Sequence, residues 1–144
     1  MIAITGANGQ LGRLVIQSLQ GLAPATRIIA AVRSPEKAQD LKSATVEIRE
    51  ADYDRPETLT KAFAGVDKLL LISGSDLSGV RLAQHKAAID AAKSAGVKLI
   101  AYTSILHTDK SALILTEEHR ATEAYLKASE IGRASCRERV YHPV

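Results

Sequence analysis

Thr5-Gly6-Ala7-Asn8-Gly9-Gln10-Leu11-Gly12 follows a short strand-like run, Ile2–Thr5, and opens a helix-period segment from Gly9 to Leu19. Three glycines spaced three apart at such a junction leave few folds open. Gly6 permits the tight turn out of the strand, and Gly9 lets backbone approach a ligand with no Cβ in the way. Gly12 lets the helix pack closely on the sheet. The helix then offers unpaired N–H groups and the positive end of its dipole, which suits a pyrophosphate. A glycine cluster can also be an ordinary turn. Strand before, helix after and alternating elements beyond favour the dinucleotide cradle, with Gly6 to Gly12 as the binding residues.

The rest of the chain keeps the alternation. Arg27–Val32, Thr45–Arg49, Lys68–Ser73 and Val97–Thr103 read as strands. Lys68–Ser73 is apolar without a period of two, as expected where both faces are covered. Helices are expected from Ser34-Pro35, from Arg55-Pro56-Glu57 to Ala64, over Val80–Ala95 and over Thr116–Ala128. In the first helix the inner face is assigned to Leu11, Leu14, Val15, Ser18 and Leu19. The fold expected is α/β: a Rossmann-like, doubly wound parallel sheet with about five strands, incomplete at the C-terminus. At 144 residues there is material for one domain. Aromatics are 3%, so the core must rest on Leu, Ile, Val and Ala.

Several classes drop out. No run of about 18 apolar residues exists, so no membrane span is expected, and the N-terminus has no secretory pattern. Cys136 is the single cysteine, which leaves no internal disulfide and points to a cytoplasmic location. The formal net charge is +3, but residues 131–144 carry three arginines against one glutamate. The basic balance is therefore no argument for nucleic acid, and stacking aromatics are scarce. No His, Asp or Glu grouping has metal-ligand spacing, so no metal is expected.

Arg33, in AAVRSPEK, stands at the end of the second strand, with Lys37 one turn on. A carboxylate there would accept from the adenosine ribose of NAD(H). A guanidinium can instead hold a 2′-phosphate bidentately, so NADP(H) is favoured and NAD(H) disfavoured. The bland reading is an exposed arginine at a strand end. Asp52, in ADYD, has two open readings: an acceptor for the adenine amino group beside Tyr53, or a loop aspartate capping the next helix.

TGANGQLG, AVRSPEKA, ADYD, KLLLISG, AAKSAGVKLIAYTS and EEHRATEAYL together resemble the NmrA-like atypical short-chain dehydrogenases. Within that group the likeness is to the bacterial type-2 NAD(P)H:quinone oxidoreductase branch, from Met1 to about Ser129 or Glu130. The resemblance implies an NADPH-dependent reduction of quinones by hydride transfer. It implies that residues from Gly6 to Leu11 hold the pyrophosphate and Arg33 the 2′-phosphate. Ser73, Gly74 and Ser75 would line the nicotinamide-side ribose, and Thr103 and Ser104 would lie near the nicotinamide. Family members continue with a C-terminal region, roughly as long again, that closes over the quinone.

No catalytic residue is assigned. The Tyr-x-x-x-Lys motif of ordinary short-chain dehydrogenases is absent: Glu57, Leu106 and Ser129 stand four residues beyond Tyr53, Tyr102 and Tyr125, and Tyr141 lies close to the chain end. A quinone tolerates this, because its hydride adduct is a delocalised aromatic anion and water can supply the proton. His107 and His119 could stabilise a phenolate; the bland readings are a polar loop and a surface pair of His119 with Glu123. His85 on the long helix is a weaker candidate. The alternative to an enzyme is a non-catalytic NADP(H)-sensing regulator.

From Ile131 the family pattern stops. Glu130 to Val140 back-translates, with one choice of codons, into a string resembling a common sequencing adapter read in frame. Residues 1–130 are therefore expected to be the NAD(P)-binding domain and 131–144 a non-native or disordered tail. On that expectation the chain binds NADP(H) with little turnover.

Overall fold

Uncharged runs such as Ile2–Thr5 and Ile28–Val32 alternate with helices that have one apolar face. Such a chain can bury both only by laying helices on the two faces of a parallel sheet. The computed structural model describes residues 1–74, 79–105 and 114–138 and has this arrangement. Strands β1 (Ile2–Thr5), β2 (Ile28–Val32), β3 (Val46–Glu50), β4 (Lys68–Leu71), β5 (Leu99–Ile105) and β6 (Gly132–Glu138) alternate with helices α1 (Gln10–Leu22), α2 (Pro56–Ala62), α3 (Arg81–Ser94) and α4 (Ile114–Ala128). Between β2 and β3 lies a 3₁₀ helix, Pro35–Leu41.

The sheet order is β3-β2-β1-β4-β5-β6, every pair parallel. Order reverses between β1 and β4, which is where a doubly wound sheet opens a crevice beyond its strand ends. The pleat divides the core in two. Ala3, Ile29, Ala31, Leu69, Leu71, Ile100 and Tyr102 face α2, α3 and α4 through Leu59, Phe63, Ile89 and Leu126. Ile4, Ile28, Ala30 and Val32 face α1 and the 3₁₀ helix through Ile16 and Ala38.

Two expectations need correction. The inner face of α1 is Gly12, Val15, Ile16 and Leu19, whereas Leu11, Leu14 and Ser18 are exposed. Gly12 has to approach the sheet, and that fixes the helix rotation: residues four and seven on turn inward and the two leucines turn out. The sheet also has a sixth strand where about five were expected. β6 pairs with β5 from Leu99↔Gly132 to Ile105↔Glu138. Its residues 132–136 are all exposed, so the pairing rests on backbone hydrogen bonds, which make little demand on side-chain identity. The edge of β5 is therefore covered, but Leu70, Leu99 and Ala101 stay half-buried on the α1 side of the sheet. No helix among the described residues is long and apolar enough to cross a membrane.

Candidate functional site

Beyond the C-terminal ends of β1, β2 and β4 lies a groove of about 540 Å³. Its floor is the glycine loop. Gly6 takes a φ of 59°, and its carbonyl accepts the Gly9 N–H at 2.9 Å, closing the turn. A Cβ on Gly12 would stand 2.5 Å from the Gly6 oxygen and 2.6 Å from the Ala7 Cα. The glycine is therefore what allows α1 to begin this close to β1. α1 has neither a side-chain cap nor an acidic residue in its first turn, so its first N–H groups stay available to an anion in the groove.

Of the residues expected to bind a dinucleotide, Gly6, Asn8, Gly9, Gln10, Leu11, Gly12, Arg33, Ser73 and Gly74 line this groove. Arg33 is exposed, and no carboxylate pairs with it among the described residues. Lys37 from the 3₁₀ helix and Ser34 share its end of the groove, so two cations face the space beyond β2. Ala7 is fully buried behind the loop. Ser75 and His107 lie outside the described residues.

Asp52, Thr103 and Ser104 do not line the groove. Asp52 Oδ1 accepts the Asp54 N–H at 3.1 Å, and its other oxygen faces Arg55 Nε at 3.4 Å. Its own N–H donates to Thr58 Oγ1 at 2.8 Å. Asp52 thus orders the turn that leads into α2 without capping the helix, which has no side-chain cap, while neighbouring Tyr53 does reach the groove. Burial pushes the Tyr53 phenol above its ordinary value, which keeps it a neutral donor. Thr103 Oγ1 accepts the Ser73 N–H at 2.8 Å and donates to Ser73 Oγ at 3.2 Å, so it shapes the wall from behind. Ser104 is buried.

Two features escaped the sequence reading. Arg13 donates through Nε to the Asn8 carbonyl at 3.1 Å and through Nη2 to the Asn8 side-chain oxygen. Its Nη1 pairs with Asp40 at 2.5 Å, holding that carboxyl below its usual range. One guanidinium thereby ties the glycine loop to the helix that carries Lys37. The signal available was only an arginine one turn into α1.

The second feature is a buried polar cluster between α3, α4 and β5. His119 is not a surface residue: its Nδ1 lies 2.6 Å from the Tyr102 hydroxyl, and both side chains are buried. His85, fully buried, packs edge-on to Tyr102 with ring centres 5.4 Å apart. Its Nδ1 lies 3.0 Å from Thr122 Oγ1, which itself donates to the Glu118 carbonyl at 2.8 Å. Arg81 faces Glu118 at 3.5 Å. Burial, then the charges of His119 and Arg81, lower His85 to about 4. Burial also lowers His119. Tyr102 is pushed up by burial, partly opposed by its bond with Thr122 and by Arg81.

This cluster makes folding sensitive to acid. Between pH 6.5 and about 4 the unfolded chain carries a proton on His85 that the folded chain refuses, so unfolding takes up protons. Stability is full above pH 6.5 and falls as pH drops toward 4, with His119 acting in the same direction. Among the described residues, Arg81, Glu118, Glu123 and Tyr102 are the other titratable or charged groups around the pair. Urea midpoints at pH 7 and pH 5 are expected to show the fall, and His85→Gln to remove a large part of it. An unchanged slope in that variant would contradict the assignment.

Among the described residues no group of three His, Cys, Asp or Glu side chains could hold a metal. The sequence model of the NAD(P)H-binding family matches residues 6–136. The chain is 55% identical over 131 residues to quinone oxidoreductase 2 of Escherichia coli, covering 91% of this chain and 46% of that protein. It superposes on the crystal structure of the NADPH-dependent quinone oxidoreductase from Escherichia coli in complex with NADPH, with a TM-score of 0.90 and 53% identity. That match covers 96% of this chain and 48% of the other. Triphenylmethane reductase of Citrobacter sp., complexed with NADP(H), superposes with a TM-score of 0.94 at 46% identity, covering 98% and 50%. The chain thus spans about half the length of the relatives it matches.

Proposed function

The chain belongs to the NAD(P)H-binding, NmrA-like family of Rossmann oxidoreductases, and from that premise we propose that it binds NADP(H) along the groove and, in a longer form, reduces quinones by hydride transfer. One observation carries the cofactor reading. A single groove holds an uncapped helix N-terminus behind a glycine cradle at one place and the exposed Arg33 beside Lys37 at another. The first suits a pyrophosphate and the second a 2′-phosphate. NAD(H) has no group for the second.

When bound, NADPH supplies the hydride from its nicotinamide ring. The α1 amides hold the pyrophosphate, Arg33 and Lys37 hold the 2′-phosphate, and Ser73 and Gly74 form the wall on the nicotinamide side. Thr103 acts through Ser73. The sequence has no Tyr-x-x-x-Lys motif to protonate a ketone, which favours an acceptor whose reduced form is already a stable anion, and quinones meet that requirement. The relative's name, quinone oxidoreductase, supports the same substrate class. Ser75 and Ser104 remain in this reading as parts of the nicotinamide-side surroundings, and Asp52 as a support of Tyr53.

NADPH oxidation in the presence of a simple quinone, followed by loss of NADPH absorbance, tests the proposal. A full-length relative is expected to turn over, and the 144-residue chain to bind NADPH with little turnover, because it spans about half the length of the relatives it matches. Robust turnover by this chain alone would contradict that division of labour.

A further inference from the structure

Three consecutive main-chain N–H groups just beyond β4 are each taken by a side chain from a different element. The Ile72 N–H donates to Thr5 Oγ1 of β1 at 3.0 Å, and the Ser73 N–H to Thr103 Oγ1 of β5 at 2.8 Å. The Gly74 N–H donates to Nε2 of His85 on α3 at 3.2 Å. In an open α/β sheet ligands bind beyond the carboxyl ends of the strands, where an amide left unpaired would meet them. Here none of the three is left for a ligand, although Ile72, Ser73 and Gly74 all line the groove.

His85 can play this part in one form only. Its Nε2 accepts from Gly74, so the proton sits on Nδ1 and is given to Thr122 Oγ1. That hydroxyl can accept it because its own hydrogen goes to the Glu118 carbonyl. A second proton on the ring would break the bond to Gly74. The lowered pKa of the buried ring agrees with this arrangement.

We propose that His85 is a positioning residue which, by accepting the Gly74 N–H, holds the Ile72–Gly74 wall with no main-chain N–H left for a ligand and with the Ser73 hydroxyl beside it. Such a surface selects an uncharged, hydroxyl-bearing part of the ligand and rejects phosphate, which needs N–H donors. A ribose hydroxyl, donor and acceptor at once, fits. The inference rests on the reading that the groove takes NADP(H), with the adenosine half on the β2 side and the nicotinamide half on the β4 side of β1. It assigns the ends different chemistry: N–H donors and cations for the phosphates, a hydroxyl without free N–H donors for the nicotinamide riboside.

The test compares two ligands on the 144-residue chain. Adenosine 2′,5′-bisphosphate reaches Arg33 but has no nicotinamide half, whereas NADPH spans both ends. His85→Leu, which removes the acceptor, is expected to weaken NADPH roughly ten-fold and the bisphosphate by less than about two-fold. His85→Gln keeps an acceptor and is expected to recover most of the NADPH affinity. Equal weakening of both ligands, or of neither, overturns the positioning role. If wild type binds neither ligand, the cofactor reading itself falls and this inference with it, a different outcome from binding without selective loss. Should His85→Leu fail to fold, nitrogen-15 spectra of the wild type decide. A neutral His85 with its proton on Nδ1, and slower Gly74 amide exchange in NADP⁺, are expected. A proton on Nε2, or a Gly74 amide exchanging freely, overturns the proposal.

Discussion

Replacing Gly12 by alanine is expected to weaken NADPH binding on the order of 100-fold and to lower the stability of the fold. The new Cβ would lie 2.5 Å from the Gly6 oxygen, 2.6 Å from the Ala7 Cα and 2.9 Å from the Ala7 carbonyl carbon, all backbone atoms with no rotamer to change. Relief requires α1 to move away from the loop, which withdraws its N-terminal amides from the phosphate position. Losing two charge-assisted hydrogen bonds amounts to about 3 kcal/mol, or on the order of a 100-fold loss in affinity. Overpacking of this kind destabilises by roughly 1–3 kcal/mol. Gly21 in the same helix has nothing within 4 Å of its built Cβ. Gly21→Ala is therefore expected to leave binding unchanged and to add roughly 0.5–1 kcal/mol of stability. Titration calorimetry and thermal unfolding of the two variants check both halves. NADPH bound normally by Gly12→Ala would remove the loop from the binding site.

Arg33→Ala carries the second large effect, and it is selective. Arg33 is exposed and unpaired among the described residues, so its removal breaks no ion pair in the fold. The variant is expected to unfold at the temperature of the parent. A 2′-phosphate held at the surface gains about 2 kcal/mol from a bidentate guanidinium, which predicts a roughly thirty-fold loss for NADPH. NADH lacks that phosphate and is expected to change by less than about two-fold. Lys37, exposed on the 3₁₀ helix four residues on, supplies part of the remaining field. Equal losses for NADPH and NADH would take Arg33 out of the phosphate site.

The sheet and the glycine cradle were legible because each rests on short-range chemistry. Gly6-x-x-Gly9-x-x-Gly12 announces a turn and a close helix, and an apolar run without alternation such as Lys68–Ser73 announces a strand inside a parallel sheet. Arg33 was legible because a strand end fixes its place. Periodicity was not enough for α1, where Leu11 and Leu14 look like core residues and are exposed. One glycine contact sets the helix rotation, and nothing in an apolar count records it. Asp52 was undecided in sequence, because an aspartate before a helix serves equally as a cap or as a ligand group; its bonds go to Asp54 and Arg55 in the turn before α2, and that helix has no side-chain cap.

The polar cluster was illegible for a different reason. His85, His119 and Tyr102 come from α3, α4 and β5, and only the packing of α3 against α4 over β5 brings them together. A histidine next to glutamates in a helix reads as solvated when its tertiary partner is unknown. Strand β6 shows the converse, since a segment with no apolar pattern still pairs when an open strand edge offers backbone partners.

Direct titration of the unaltered 144-residue chain with NADPH and with NADH, followed by cofactor fluorescence, tests the central claim. The account predicts saturable one-to-one binding of both, with NADPH the tighter by at least about ten-fold, the share of affinity that a 2′-phosphate on Arg33 supplies. Absence of saturation with NADPH, or NADH bound as tightly, would contradict it.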